Sequence, residues 1–254
     1  MSRFGKTILE LGGNNGVFDS TLMMSLIDMV MLASIVMPDA NMSLAIPAVG
    51  FGAIGTAGQR CTSTRRLYLH RSIASEFLER LQKFYQSVKP GDPLDQKTLL
   101  GPLHTRAACE TYSDTIKHLK KVGSDILVGG KQFDHVPFDV GNFVEPTISV
   151  LKSIDVSDSI WTTEVFAPIL NVGIFDELDQ AIEWNNAVPQ VSSIPALSLS
   201  TSSLGKGLSS SLWTRDIKNV GKWIGPGGSD TGIVNVCRRS LVLLLPVSNM
   251  GHNR

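Results

Sequence analysis

Three short windows hold residue types that could do chemistry. The first is residues 51–64, FGAIGTAGQRCTST, in which Gly52, Gly55 and Gly58 lead into Cys61. Glycines there let backbone approach a ligand closely, because no Cβ stands in the way. Cys61 follows Arg60 and precedes Thr62. A cationic neighbour and backbone N–H groups aimed at the sulfur favour the thiolate, the nucleophilic form of cysteine. A lone cysteine is more often a small buried apolar group, so this window alone leaves both readings open. The second window, residues 7–15 (TILELGGNN), is an apolar strand interrupted by Glu10 and released by Gly12 and Gly13. A carboxylate at a strand end beside a glycine turn can act as a general base; a salt-bridged or solvent-facing strand end is the plainer alternative. The third, residues 162–168 (TTEVFAP), puts Glu164 and Phe166 on one side of an extended chain. A carboxylate can bind both hydroxyls of a ribose, and an aromatic ring can lie against a flat heterocycle.

The elements that must position these windows alternate. Residues 65–70 (RRLYLH) read as a short strand, and Ser72 is placed to cap a helix with apolar Ile73, Phe77, Leu78, Leu81, Phe84 and Val88 at helical spacing. KPGDP at 89–93 ends it. A second helix is predicted over about 105–122, closed by Gly123, then a strand at 125–128 (DILV) before a glycine pair. Residues 142–150 and 167–175 read as strands, and 177–186 as a helix. Helices between short strands imply an α/β class with a mostly parallel sheet covered by helices. Residues 191–206 are Ser-rich with no clear period and are expected to be loop or disorder. The tail 237–254 shows neither helix caps nor strand alternation.

Composition narrows the function classes. The chain of 254 residues carries 23 basic and 23 acidic side chains, so nothing in its charge argues for nucleic acid. Three cysteines, Cys61, Cys109 and Cys237, are too few and too scattered for a disulfide framework and point to a reducing compartment. The histidines show no i,i+4 ligand spacing, so no metal is expected. Residues 21–37 (TLMMSLIDMVMLASIVM) are nearly all apolar, but Asp28 sits mid-segment and no Lys or Arg cluster flanks it, which disfavours a bilayer span.

Taken jointly, LELGGNN, GQRCT and EVFAP occur in the order found in the aldehyde dehydrogenase superfamily. FGKTILELGGNN, MPDANMSLAIPAVGFGAIGTAGQRCTSTRRLYLH, GPLHT, NFVEPTI, TTEVFAPIL, GLSSSLWTRD and GPGGSDTGIVNV resemble its α-aminoadipic semialdehyde dehydrogenase (antiquitin) branch. The resemblance implies an NAD-dependent oxidation of an aldehyde to the carboxylic acid. It makes Cys61 the nucleophile that forms a thiohemiacetal and then a thioester, with its own backbone N–H at the oxyanion. It makes Glu10 the base for the hydrolytic water. Leu11 would approach the cofactor through its backbone, Glu164 would hold the nicotinamide ribose with Phe166 nearby, and Arg60 and Thr62 would meet the charged tail of the semialdehyde. An Arg suits a carboxylate because its planar fork can bind both oxygens.

The same resemblance divides the chain. Residues 1–16 would be a remnant of the NAD-binding domain, contributing only its last strand, and 36–236 the aldehyde-dehydrogenase-like catalytic domain. Two stretches depart from the family: 17–35, expected to loop out as helix or coil rather than enter the sheet, and 191–206. The tail 237–254 resembles neither the family's substrate loop nor its oligomerisation strand. These departures suggest a partial or misassembled chain, and a catalytically silent fragment that at most associates with full-length subunits is the alternative to an active enzyme. The family forms homo-oligomers, with a tetramer expected, and its branch is cytosolic or mitochondrial.

Overall fold

The computed structural model describes residues 32–133, 141–187, 209–231, 233–237 and 242–246. Glu10, Leu11, the 1–16 remnant, residues 17–31 and the Ser-rich stretch 191–206 lie outside them.

The frame is an eight-stranded sheet in the order β3-β4-β5-β2-β1-β6-β7-β8. Strand β1 (Leu32–Val36) pairs in parallel with β2 (Thr64–His70) on one side and β6 (Ser209–Trp213) on the other. Outward from β2 lie β5 (Ile169–Phe175) and β4 (Thr147–Val150), both parallel, then β3 (Asp125–Val128), antiparallel at the edge. Outward from β6 lie β7 (Ile233–Cys237), parallel, and β8 (Val242–Pro246), antiparallel. The mostly parallel, helix-covered sheet is the one the alternating pattern implies.

Side chains alternate across the sheet and build a core on each face. Ala33, Ile35 and Tyr68 face one layer, with Ile116 and Leu119 from helix α3 (Arg106–Lys121), Trp161 from α4 (Ser159–Thr162), Ile182 from α5 (Leu178–Asn186) and Trp223 from α6 (Ile217–Ile224). Val36, Leu67 and Leu69 face the other, under Ile46 and Val49 of α1 (Met42–Ile54) and Phe77 and Leu81 of α2 (Arg71–Gln86). The β1–α1–β2 unit is thus a parallel crossover whose helix delivers the chain to the Cys61 window.

Several expectations need correction. Residues 32–35 are not looped out: they belong to β1, in the middle of the sheet between β2 and β6. Three successive residues, Ala33, Ser34 and Ile35, are buried on alternate faces, and a strand covered on both sides reads as a largely apolar run without alternation, which carries no periodic signal of a strand. The cap of α2 is His70, whose Nδ1 accepts from the Ser72 backbone N–H at 3.2 Å. The strand foreseen at 142–150 shortens to Thr147–Val150, leaving only a bridge from Val144 to Gln132 upstream. In the tail, β8 pairs with β7; its end on Pro246 suits an edge strand, where a missing N–H leaves no ladder bond unmade. Among the described residues no helix is long and apolar enough to cross a membrane.

Candidate active site

Helix α1 begins at Asn41, whose side chain accepts from Ser43 N at 3.1 Å, and ends at Gly55. The chain then reverses through Thr56, Ala57 and Gly58, all with left-handed backbone at φ 55°, 52° and 71°. That conformation is unfavourable for a β-branched Thr and requires little of a Gly. At Gly58 glycine is needed twice over, since a Cβ there would overlap the backbone carbonyl of Ala167. Gln59 fastens the turn to the 102–104 segment: its Oε1 accepts from His104 N at 2.8 Å and its Nε2 donates to Pro102 O at 3.3 Å. Arg60 and Ser63 close it, Arg60 N donating to Ser63 Oγ and Ser63 N to Arg60 O, at 3.1 and 3.0 Å. Cys61 sits at the crown of this turn, half-buried, with Thr62 exposed beside it.

The turn leads into β2, and the 163–168 segment leads into β5. Because β2 and β5 are parallel neighbours with Arg66 opposite Asn171, the two incoming segments meet at the same edge of the sheet. The group that joins them is Arg65, which the motif reading did not single out. Its Nη1 donates to Gly58 O at 2.9 Å and to Val165 O at 2.7 Å. Its Nη2 donates to Arg60 O at 3.1 Å and reaches Glu164 Oε1 at 3.4 Å. The guanidinium carbon lies 4.8 Å from the centre of the Phe166 ring, within cation–π range. The Arg65 and Glu164 side chains are 3% and 5% exposed. Burial pushes the Arg65 pKa down, against the pull of Glu164 and, through space, of Cys61, both of which favour the cation. The structure therefore brings the turn that carries Arg60, Cys61 and Thr62 against the segment that carries Glu164 and Phe166.

A usable signal for Arg65 was present in the sequence: two adjacent arginines open a strand that is otherwise apolar. Neighbours on a strand point to opposite faces, and Arg66, 1% exposed, lies over the end of α5, its Nη1 3.4 Å from the Trp184 and Asn185 carbonyls. A cation suits a helix C-terminus, where carbonyls are unsatisfied.

Arg60 lies back along α1. Its Nη2 donates to Phe51 O at 3.2 Å and its guanidinium stands 5.2 Å from the Phe51 ring centre. The other two thiols differ from Cys61 in setting. Cys109 and Cys237 are buried, and burial pushes both pKa values up, that of Cys237 to about 11. Among the described residues no group of three or more His, Cys, Asp or Glu side chains is placed to hold a metal ion.

A strained, glycine-dependent turn that presents a cysteine is thus bridged by Arg65 to a buried carboxylate and an aromatic ring at one edge of a parallel sheet. The model of the aldehyde dehydrogenase family matches residues 1–242, and the chain belongs to that family. Among curated relatives, aldehyde dehydrogenase family 7 member A1 of Pisum sativum is 44% identical over 234 residues, covering 92% of this chain and 38% of the relative. The α-aminoadipic semialdehyde dehydrogenase of Bos taurus is 42% identical over 234 residues, covering 92% of this chain and 36% of the relative. The chain thus spans well under half the length of these relatives. A crystal structure of Staphylococcus aureus betaine aldehyde dehydrogenase in complex with NAD+ superposes with a TM-score of 0.70 at 25% identity, covering 82% of this chain and 37% of that one.

Proposed function

We propose that the chain carries the thiol site of an NAD-dependent aldehyde dehydrogenase that oxidises α-aminoadipic semialdehyde to the carboxylic acid. The observation that carries this reading is the Arg65 bridge, which brings the Cys61 turn and the Glu164–Phe166 pair within a single side chain's reach. The curated relatives named for that aldehyde, and the related structure in complex with NAD+, agree with it.

Cys61 as thiolate adds to the aldehyde carbonyl carbon and forms a thiohemiacetal, with the Cys61 backbone N–H donating to the developing oxyanion. Bound NAD+ supplies the hydride acceptor through which the thiohemiacetal becomes a thioester. Glu164, on the family resemblance, holds the nicotinamide ribose, since a carboxylate can accept from both of its hydroxyls. Phe166, with Arg65 over it, walls the same edge. Leu11, on the family resemblance, meets the cofactor through its backbone. Glu10, on the same resemblance, takes a proton from the water that attacks the thioester, releasing the acid and restoring the Cys61 thiolate. Arg60 and Thr62 flank the nucleophile where the charged tail of the substrate would lie. To meet that tail the Arg60 side chain would have to leave Phe51, to which its Nη2 is hydrogen-bonded.

The test is NADH formation, followed by absorbance, from α-aminoadipic semialdehyde and NAD+ by the purified chain, with Cys61→Ser beside it. Turnover that disappears in the Ser variant is expected. No turnover by the native chain, with Cys61 still alkylated by iodoacetamide, would establish the silent-fragment alternative instead.

A further inference from the structure

We propose that Arg65 is a positioning residue whose buried guanidinium fixes the Cys61 turn in register with the Glu164–Phe166 segment. The catalytic meaning of this rests on the function proposed above; the geometry does not. The planar fork of Arg65 has two kinds of acceptor. Gly58 O and Arg60 O belong to the turn that carries Cys61, and Val165 O and Glu164 Oε1 to a segment about a hundred residues further along the chain. Each terminal nitrogen serves one acceptor from each side, so neither segment can shift without breaking a bond to the other. The Phe166 ring under the guanidinium plane fixes the rotation of the fork.

Filling this space with an apolar side chain would avoid burying a cation, and such replacements are often tolerated or favourable for stability. What an arginine adds is geometry. A lysine keeps the charge but has one nitrogen at the end of a flexible stem, and it cannot span four acceptors held by two segments. The turn needs outside support, because two non-glycine residues of it, Thr56 and Ala57, are held in left-handed backbone. Arg66 provides an internal control: it is equally buried, on the same strand, and faces away from the Cys61 turn toward the end of α5.

The experiment compares R65K with R66K in the full chain. Two things are measured: steady-state kinetics with NAD+ and semialdehyde, and iodoacetamide alkylation of each cysteine, mapped by mass spectrometry. For R65K we expect kcat to fall by about tenfold or more and KM for NAD+ to rise, since a displacement of about 1 Å at a reacting group costs that much or more. We also expect Cys61 to be alkylated about threefold faster as its turn opens locally, while Cys109 and Cys237 stay protected. R66K should leave Cys61 alkylation at the native rate. Native kinetics and native Cys61 reactivity in R65K would overturn the proposal. So would equal effects of R66K, or simultaneous exposure of all three thiols in R65K, which would mean that Arg65 merely holds the fold together. If the native chain makes no NADH, the functional reading fails, and the alkylation comparison still decides the role of Arg65.

Discussion

At the scale of single residues, the turn before Cys61 stores unfavourable backbone in order to present a thiol. Thr56, Ala57 and Gly58 occupy the left-handed region in succession, and the last of them abuts the backbone of Ala167. Gly58→Ala should therefore do two kinds of damage, adding a Cβ at φ +71° and forcing the 163–168 segment away. We expect a loss of about 2–3 kcal/mol of stability, at the large end for a single substitution, read from the urea unfolding midpoint. NADH formation should fall along with it. A variant as stable and active as the native chain would mean that the turn does not press on Ala167. Cys61 and Glu164 were legible in the sequence because their neighbours, GQRCT and EVFAP, carry local signatures. Arg65 showed in the sequence only as one of two adjacent arginines at the start of a strand; what it joins did not show, because its acceptors are at Gly58 and at Val165, a hundred positions away.

At the scale of elements, the ends of β1 and β6 are tied by one carboxylate. Asp39, just past β1, accepts from Thr214 Oγ1 at 2.9 and 3.0 Å, from Arg215 N at 2.6 Å and from Asp216 N at 2.8 Å. It thereby anchors the turn that leads into α6, whose own cap is Asp216. Asp39→Ala strands these donors in a half-buried place and should cost about 1–3 kcal/mol, measured as a lower urea midpoint with an unchanged denaturant slope. An unchanged midpoint would show that water replaces the carboxylate fully. The elements themselves were unevenly readable. Helices α2 and α3 carry one apolar stripe each and were found within a residue or two of their ends. Helix α1 (MSLAIPAVGFGAI) is apolar on every side and has Pro47 inside, so no period marks it. Strands β1 and β8 are short apolar runs without alternation, which periodicity cannot tell from a buried helix or a loop.

At the scale of the whole molecule, the folded state keeps several weak acids neutral. Burial pushes Cys237 up from 9.0 to about 11. It also pushes Tyr112 up from 10.0 to about 12, against the lowering effect of its hydrogen bond to Thr147. Tyr68 and Tyr85 shift upward for the same reason. Above the unfolded pKa the unfolded chain loses these protons while the folded chain still holds them, so stability falls as pH rises. We expect urea midpoints to be unaffected by these groups below pH 9, and to decline from there toward pH 11 and beyond. Cys237→Ala should reduce the earliest part of that decline, to which the buried Cys109 also contributes. A midpoint that stays flat from pH 9 to pH 11 would contradict the buried, neutral state of Cys237.

The sequence by itself determined the class: alternating strands and amphipathic helices, neutral charge, three unpaired thiols, and the motif order of an aldehyde dehydrogenase. Those are local properties, written in neighbours a few positions apart. Tertiary structure alone decided which strands are neighbours. Placing β1 in the centre of the sheet, and β2 beside β5 in parallel, brings the Cys61 turn against the Glu164–Phe166 segment. Strand pairing is a long-range choice made by burial on both faces of the sheet, and no window of sequence contains it. The same choice gives Arg65 its acceptors and turns a pair of arginines at the start of a strand into the bridge of the candidate site.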